Sequence, residues 1–346
     1  MIRPRPRPQP PTHAIAPAEG HESRCLIFTG KDAARTLADP GEISELLKDK
    51  QNFVWFDIAE PTANDLATLQ EEFSLHPMAI EDAALAHERP KIEPFDGFSL
   101  VILQPTTIDA ETGEPVLHEI AILTGNNFLI TIRATPVYPL DEIERRWLAR
   151  GAIPHDPTGL LYVILDVVVD GYTPVASAFD ARLDRLEEHV LDEKANPTPV
   201  LREVLLFKRE LTHFRQAAAP VRDIVSVVLR EDVAPLEASL KAYYRDVYDH
   251  AVRTVEQIDA TRDLLNSTLD IHLSSQSQRQ AEISKQLTTM ATIFLPLTYI
   301  TGFFGQNFGY MVGHIDKAGT FWWLGVGLQV VALATLFAYF RVKRWF

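Results

Sequence analysis

Residues 287–305 read LTTMATIFLPLTYITGFFG and residues 321–340 read FWWLGVGLQVVALATLFAYF, and these two runs decide the architecture. The second carries no charge over its whole length, which suffices for a helix across the hydrocarbon core of a bilayer. The first has span length but a mixed character: Thr288, Thr289, Thr292, Thr298 and Thr301 are interleaved with Leu and Ile, and Pro296 sits in the middle. Hydroxyls in lipid need partners, so these threonines are expected to face other helices or water. Arg341, Lys343 and Arg344 follow the second run at once, which places the C-terminus in the cytoplasm. Two spans then return the N-terminal bulk to that side and leave only the connector 306–320 outside. A tail anchor needs one span; two spans with a short connector suggest an oligomer around a pore. The expectation is a multi-pass protein of the inner (plasma) membrane with both termini cytoplasmic.

Working upstream, no proline occurs between Pro235 and Pro296 and no glycine before Gly302. That predicts one helix on the order of 100 Å long, a stalk over 235–286 that becomes transmembrane helix 1 over 287–305. Residues 136–234 read as a helical domain. Pro157 opens a helix to about 192 whose apolar run Leu160–Leu165 is interrupted by Asp166 and Asp170, so it is a core helix and not a span. A second helix is expected over 198–219 and a third from Pro220 to about 230. Residues 23–135 read as an α/β domain, with strands at 53–58, 98–103, 118–124 and 128–133 and helices opened by Pro61 and Pro77. Gly125-Asn126-Asn127, residues tolerant of positive φ, predict a hairpin, and 109–115 a loop. The Arg/Pro-rich tail 1–22 has no apolar leader segment and reads as disordered. Residues 321–340 form transmembrane helix 2 and 341–346 a basic cytoplasmic tail. The fold class is α+β.

Composition narrows the chemistry. Among 346 residues, 47 are Asp or Glu and 33 are Lys or Arg, a net charge of −14. Such a chain is a poor holder of nucleic acid, and it suits a cationic partner. The mean hydropathy of −0.04 hides how strongly the apolar residues concentrate in the C-terminal sixty or so. Cys25 is the only cysteine, which excludes a disulfide framework and any CxxC site. His76, His87, His118, His189, His213, His250 and His272 are scattered without an HExxH pair, and neither GxSxG nor GxxxxGK[ST] occurs. No enzyme and no cofactor is expected.

Three groups of residues could carry ion chemistry. Ala281, Ser284, Leu287, Ala291, Leu295, Thr298 and Gly302 recur at about 3.5-residue spacing. They suit either a narrow pore with hydrophobic constrictions or helix packing through small residues. Asp249, Glu256, Asp263 and Asp270 recur every seven residues along the stalk, either as a solvated face or as further cation sites. In the connector, His314 and Asp316 stand beside Lys317; the imidazole suits zinc better than magnesium.

Tyr299-Ile300-Thr301-Gly302-Phe303-Phe304-Gly305-Gln306-Asn307 resembles the Tyr/Phe-Gly-Met-Asn signature of CorA-family divalent cation transporters, and it stands after the first of two C-terminal spans as in that family. Thr292–Thr298, the stalk segments Tyr244–His250 and Leu269–Ser275, the tail Arg341–Phe346 and His87-Glu88-Arg89-Pro90-Lys91 resemble family elements too. The resemblance covers about 24–346. It implies a channel-like homopentamer whose long helices form a funnel. Gly305, Gln306 and Asn307 would form the selectivity filter, with Asn307 carbonyls offering hard oxygens to a hydrated ion. Thr298 would give a second ring, and Leu295 and Leu287 a hydrophobic gate. A regulatory cytoplasmic cation would bridge Asp246 of one subunit and Glu81-Asp82 of the next, its loss opening the funnel. Gln306 stands where magnesium-transporting members have Met and the ZntB-like branch has Val. The implied function is influx of Mg²⁺, with Co²⁺ or Ni²⁺ as surrogates, gated by intracellular Mg²⁺. Proton-coupled Zn²⁺ transport of the ZntB type is the alternative. A non-conducting membrane scaffold or metal sensor is the alternative from another class.

Overall fold

The computed structural model describes residues 23–29, 35–36, 43–84, 89–109, 113–134, 140–149, 153–191, 197–230, 236–306, 308–314 and 317–343. The tail 1–22 lies outside them. The chain divides into two compact units, 1–267 and 268–346.

The first unit is built on a seven-stranded sheet. Its strands are β1 (Ser23–Thr29), β2 (Arg35–Thr36), β3 (Asn52–Ala59), β4 (Lys91–Phe95), β5 (Phe98–Leu103), β8 (Ile120–Gly125) and β9 (Phe128–Arg133), in the order β2-β1-β3-β9-β8-β5-β4. Only β3 and β9 run parallel, with Asp57 opposite Thr131; the other neighbours are antiparallel. A separate ribbon pairs β6 (Thr106–Ile108) with β7 (Pro115–Leu117). The β8–β9 hairpin forms as expected, yet none of residues 125–127 has a positive φ. It is Gly97, at φ +84° between β4 and β5, that uses the freedom of glycine.

β3 shows how alternation fixes the layers, because successive side chains point to opposite faces. Val54, Phe56 and Ile58 join the core with Leu69, Phe73, Ala79 and Ile80 from α2 (Ala63–Glu72) and α3 (Pro77–Ala84). Phe53 and Trp55 instead meet Trp147 of α4 (Leu140–Ala149) edge-on, with ring centroids 5.7 and 6.0 Å apart. Thr62 caps α2 in a capping box with Asp65, so Pro61 lies just outside the helix it announces. Pro77 is the first residue of α3. A short helix, α1 (Ile43–Leu47), precedes β3.

Three long helices follow. α5 (Pro157–Leu191) starts at the expected proline. α6 (Pro197–Leu229) corrects the reading of two helices split at Pro220: the proline lies inside one continuous helix. Proline removes one hydrogen bond but does not end a helix held along its length by neighbours. Val204, Phe207, Leu211, Phe214, Ala217, Val221 and Ile224 bury α6 on both sides of the proline.

α7 (Ala238–Phe304) is one helix of 67 residues with Pro296 inside it. Its buried positions in the first unit include Leu240, Tyr244, Val247, Ala251, Thr254, Ile258, Thr261 and Leu265. Polar clamps fix its rotation there. The Tyr244 hydroxyl donates to the Thr158 carbonyl at 2.8 Å, and Gln257 and Thr261 donate to Asp180 at 2.6 and 2.5 Å. Arg215 holds Asp259 at 2.6 Å, and Lys208 donates to Asn266 at 2.9 Å. Beyond α7 come α8 (Gly309–His314) and α9 (Ala318–Val342), whose Phe321–Gly327 segment winds as a π-helix.

Candidate functional site

Among the described residues three helices are long and apolar enough to cross a membrane: α5, α7 and α9. Their surroundings separate them. The apolar window of α5 is 72% buried inside the protein, whereas those of α7 and α9 are 6% and 0% buried. An apolar helix already covered by protein is a core helix; apolar helices left bare need lipid or other copies of the chain.

In the second unit α7 meets α9 through one side. Ile293 lines a groove with Val330, Leu333, Ala334, Leu336, Phe337 and Phe340. Ile300, Thr301, Phe304 and Gly305 line another with Phe321, Leu324, Gly325 and Gln329. The stripe Ala281, Ser284, Leu287, Ala291, Leu295, Thr298 and Gly302 is exposed throughout. At about 100° per residue it centres roughly half a turn away from Ile293, Ile300 and Phe304. A Cβ added at Gly302 would meet nothing within 4 Å. Packing within the chain therefore makes no use of the small residues, so they are not an α7–α9 interface.

The threonines of this segment find partners differently from the expectation. Thr288, Thr289, Thr292 and Thr298 each donate to the carbonyl four residues back, at 2.7–2.8 Å. Thr301 donates to the Leu297 and Thr298 carbonyls. No second helix or water is needed to satisfy the hydroxyl protons. What remains on Thr298 is an oxygen with acceptor capacity on the exposed side, the kind of group a hydrated cation takes.

α7 ends at Phe304. The Gly305 amide donates to the Thr301 carbonyl at 2.9 Å, and a Cβ at Gly305 would lie 3.0 Å from that same oxygen. Glycine relieves a close approach here and is not required by φ. Gln306 follows, exposed, its amide donating to the Phe303 carbonyl at 3.3 Å. Asn307 and Asp316 lie outside the described residues. His314 is exposed at the end of α8, its Nδ1 2.8 Å from the Tyr310 carbonyl.

The stalk acids Asp249, Glu256, Asp263 and Asp270 are all exposed, opposite the buried positions of α7. Seven-residue steps from Asp270 reach Ser277, Ser284, Ala291, Thr298 and Gly305, so the acids share a heptad position with Ser284, Ala291 and Thr298 of the stripe.

The acids Glu81, Asp82 and Asp246 are not alike. Glu81 is exposed at the C-terminal half of α3. Asp82 is already paired: Lys91 Nζ sits 2.6 Å from its Oδ2. Asp246 is exposed, with the His250 Nε2 3.8 Å away. Among the described residues no group of three or more His, Cys, Asp or Glu converges within the single chain. Sequence reasoning quoted Lys91 as part of a motif and missed its pairing. The nine-residue separation spans a change from helix to strand, and no periodicity relates the two positions.

Two bare apolar helices joined by a short connector, the first continuous with a long helix that packs into an α/β unit, have the length and composition of membrane-crossing segments. The chain belongs to the CorA-like Mg²⁺ transporter protein family, whose profile matches residues 50–344. It is 32% identical over 304 residues to the cobalt/magnesium transport protein CorA of Thermotoga maritima, covering 86% of this chain and 85% of that one. It is 24% identical over 311 residues to the zinc transport protein ZntB of Cronobacter sakazakii, covering 90% of each. The fold matches the complete structure of the CorA magnesium transporter from Methanocaldococcus jannaschii with a TM-score of 0.74 at 22% identity, over 93% of this chain and 98% of that one. Divalent metal cation transport is the function of this family.

Proposed function

We propose that the chain forms a homopentameric, channel-like pore for Mg²⁺ influx in the inner membrane, with α7 and α9 as its two spans and both termini cytoplasmic. The observation that carries this reading is the stripe from Ala281 to Gly302, exposed on the side of α7 turned away from α9 and ending at Gly305-Gln306-Asn307. Five copies would line an axis with it. Asn307 would ring the mouth with amide oxygens, and Thr298 would add a second ring of acceptor oxygens. Leu295 and Leu287 would form dry constrictions that close to a hydrated ion. Mg²⁺ sheds its water reluctantly, so carbonyl and hydroxyl oxygens that bind the hydrated ion suit it. Co²⁺ and Ni²⁺ would follow the same path. In the cytoplasm, Mg²⁺ bridging Asp246 of one subunit to Glu81 and Asp82 of the next would hold the pore shut, because carboxylates from two chains repel without a dication between them.

One observation favours proton-coupled Zn²⁺ transport as a second reading. Asp82 is engaged by Lys91, which lowers its availability to a regulatory metal.

Uptake into proteoliposomes carrying a metal-sensitive dye separates the readings. Mg²⁺ entry that ignores a proton gradient and falls as internal Mg²⁺ rises is the expected result, with Asn307→Ala abolishing it. Zn²⁺ entry that grows with an inward proton gradient would transfer the chain to the second reading. Normal flux in Asn307→Ala would sink the filter assignment, and no flux of any ion would leave a scaffold or sensor.

A further inference from the structure

The connector between α7 and α9 holds a single imidazole, His314, at the last position of α8. Its Nδ1 lies 2.8 Å from the Tyr310 carbonyl oxygen. A carbonyl can only accept, so Nδ1 carries the proton and Nε2 keeps its in-plane lone pair. The ring also stacks on Tyr310, with centroids 4.3 Å apart and planes at 29°. Tautomer and ring plane are both fixed, and the side chain remains exposed. Imidazoles that bind metals share this arrangement: the far nitrogen donates to a carbonyl, which orients the ring and strengthens the near nitrogen as a ligand.

We propose that His314 Nε2 is a ligand for borderline divalent cations, Zn²⁺ or Ni²⁺, at the outer end of the molecule, the ion being shared by imidazoles of neighbouring copies. The sharing rests on the oligomeric reading above. One imidazole completed by water holds such an ion weakly, and a second from the next copy supplies the ligand count a stable site needs. The site is distinct in chemistry from the pore. Mg²⁺ prefers oxygen and keeps its water, so an imidazole pair passes it over and selects ions with a stronger preference for nitrogen. A bound Zn²⁺ would place two positive charges beside the path of entering cations and oppose their approach.

The test is a Zn²⁺ titration of the full-length protein in detergent against a chromogenic competing chelator, comparing wild type, His314→Ala and the exposed-histidine control His213→Ala. Wild type should show a tight class saturating below one ion per chain, and His314→Ala should lose at least tenfold in affinity while His213→Ala does not. X-ray absorption of the bound zinc should show imidazole scattering that disappears in His314→Ala. Wild-type binding in His314→Ala, or a tight class of one full ion per chain, would overturn the proposal. Since the titration needs no flux, a protein that binds Zn²⁺ here and conducts nothing would sink the transport reading and leave this one standing.

Discussion

Lys91 Nζ lies 2.6 Å from Asp82 Oδ2, tying the first residue of β4 to the second half of α3. Both side chains are partly sheltered, at 32% and 25% exposure, so the pair is neither a weak surface contact nor a fully buried one. The carboxylate is thus occupied by an ammonium in the single chain, and any metal drawn to Asp82 must compete with it.

Lys91→Ala should release Asp82 and strengthen cytoplasmic metal binding at Glu81, Asp82 and Asp246. The measurement is protease resistance of the full-length protein against Mg²⁺ concentration, in which the half-protecting concentration should fall several-fold. An unchanged midpoint would remove Asp82 from the regulatory site.

The exposed stripe of α7 can be probed without first removing the native cysteine. Cys25 is buried, and burial pushes its thiol up to about 12, so almost no reactive thiolate forms near neutral pH. Single cysteines at Leu287, Ala291, Leu295, Thr298 or Gly302 should react with a small charged thiol reagent and lose cation flux. Cysteines at Ile293 or Ile300, on the α9 side, should not lose it. Equal blocking on both sides would refute the assignment of faces.

The soluble unit should depend strongly on Asp57. Its carboxylate accepts from Arg133 at 2.6 Å and from Thr131 at 2.6 Å, and Thr131 in turn accepts from Trp55 Nε1 at 3.3 Å. Asp57→Ala would take the carboxylate away from the Arg133 guanidinium in a site where it is only 6% exposed. Breaking a buried pair on one side costs about 3–5 kcal/mol. Denaturant unfolding should register that loss, whereas the exposed Asp263→Ala should change stability by less than about 0.5 kcal/mol.

Stability on the acid side should report the clamp between α6 and α7. The hydrogen bonds from Arg215 hold the Asp259 carboxyl below its usual range. A carboxyl depressed in the folded state stabilises it above the ordinary Asp value of about 3.9. That contribution fades as pH falls through the lowered folded value, where the native carboxylate finally takes its proton. Asp259→Asn should therefore flatten the fall in melting temperature between about pH 5 and pH 2. An identical acid limb in the variant would show that the clamp contributes nothing.

The two C-terminal apolar runs, the long helix and the alternation in β3 could be read directly, because each is a local pattern repeated over many residues. So could the acid column and the stripe: a seven-residue repeat on one helix puts residues on one side whatever surrounds it. The hairpin at 125–127 was legible, but not its backbone. Pro220 misled because local propensity is overridden where a helix is packed along both sides. The sequence by itself thus determined the helices α5 and α7, the strands β3, β5, β8 and β9, the membrane-grade segments and the family. Only the tertiary structure decided that the α7 stripe turns away from α9 and that Asp82 is spoken for by Lys91. It also showed that the threonines satisfy themselves on their own helix. The outlook of the stripe and the Asp82–Lys91 pair depend on the rotation of one helix against another or on contacts between different elements, and no local periodicity encodes either.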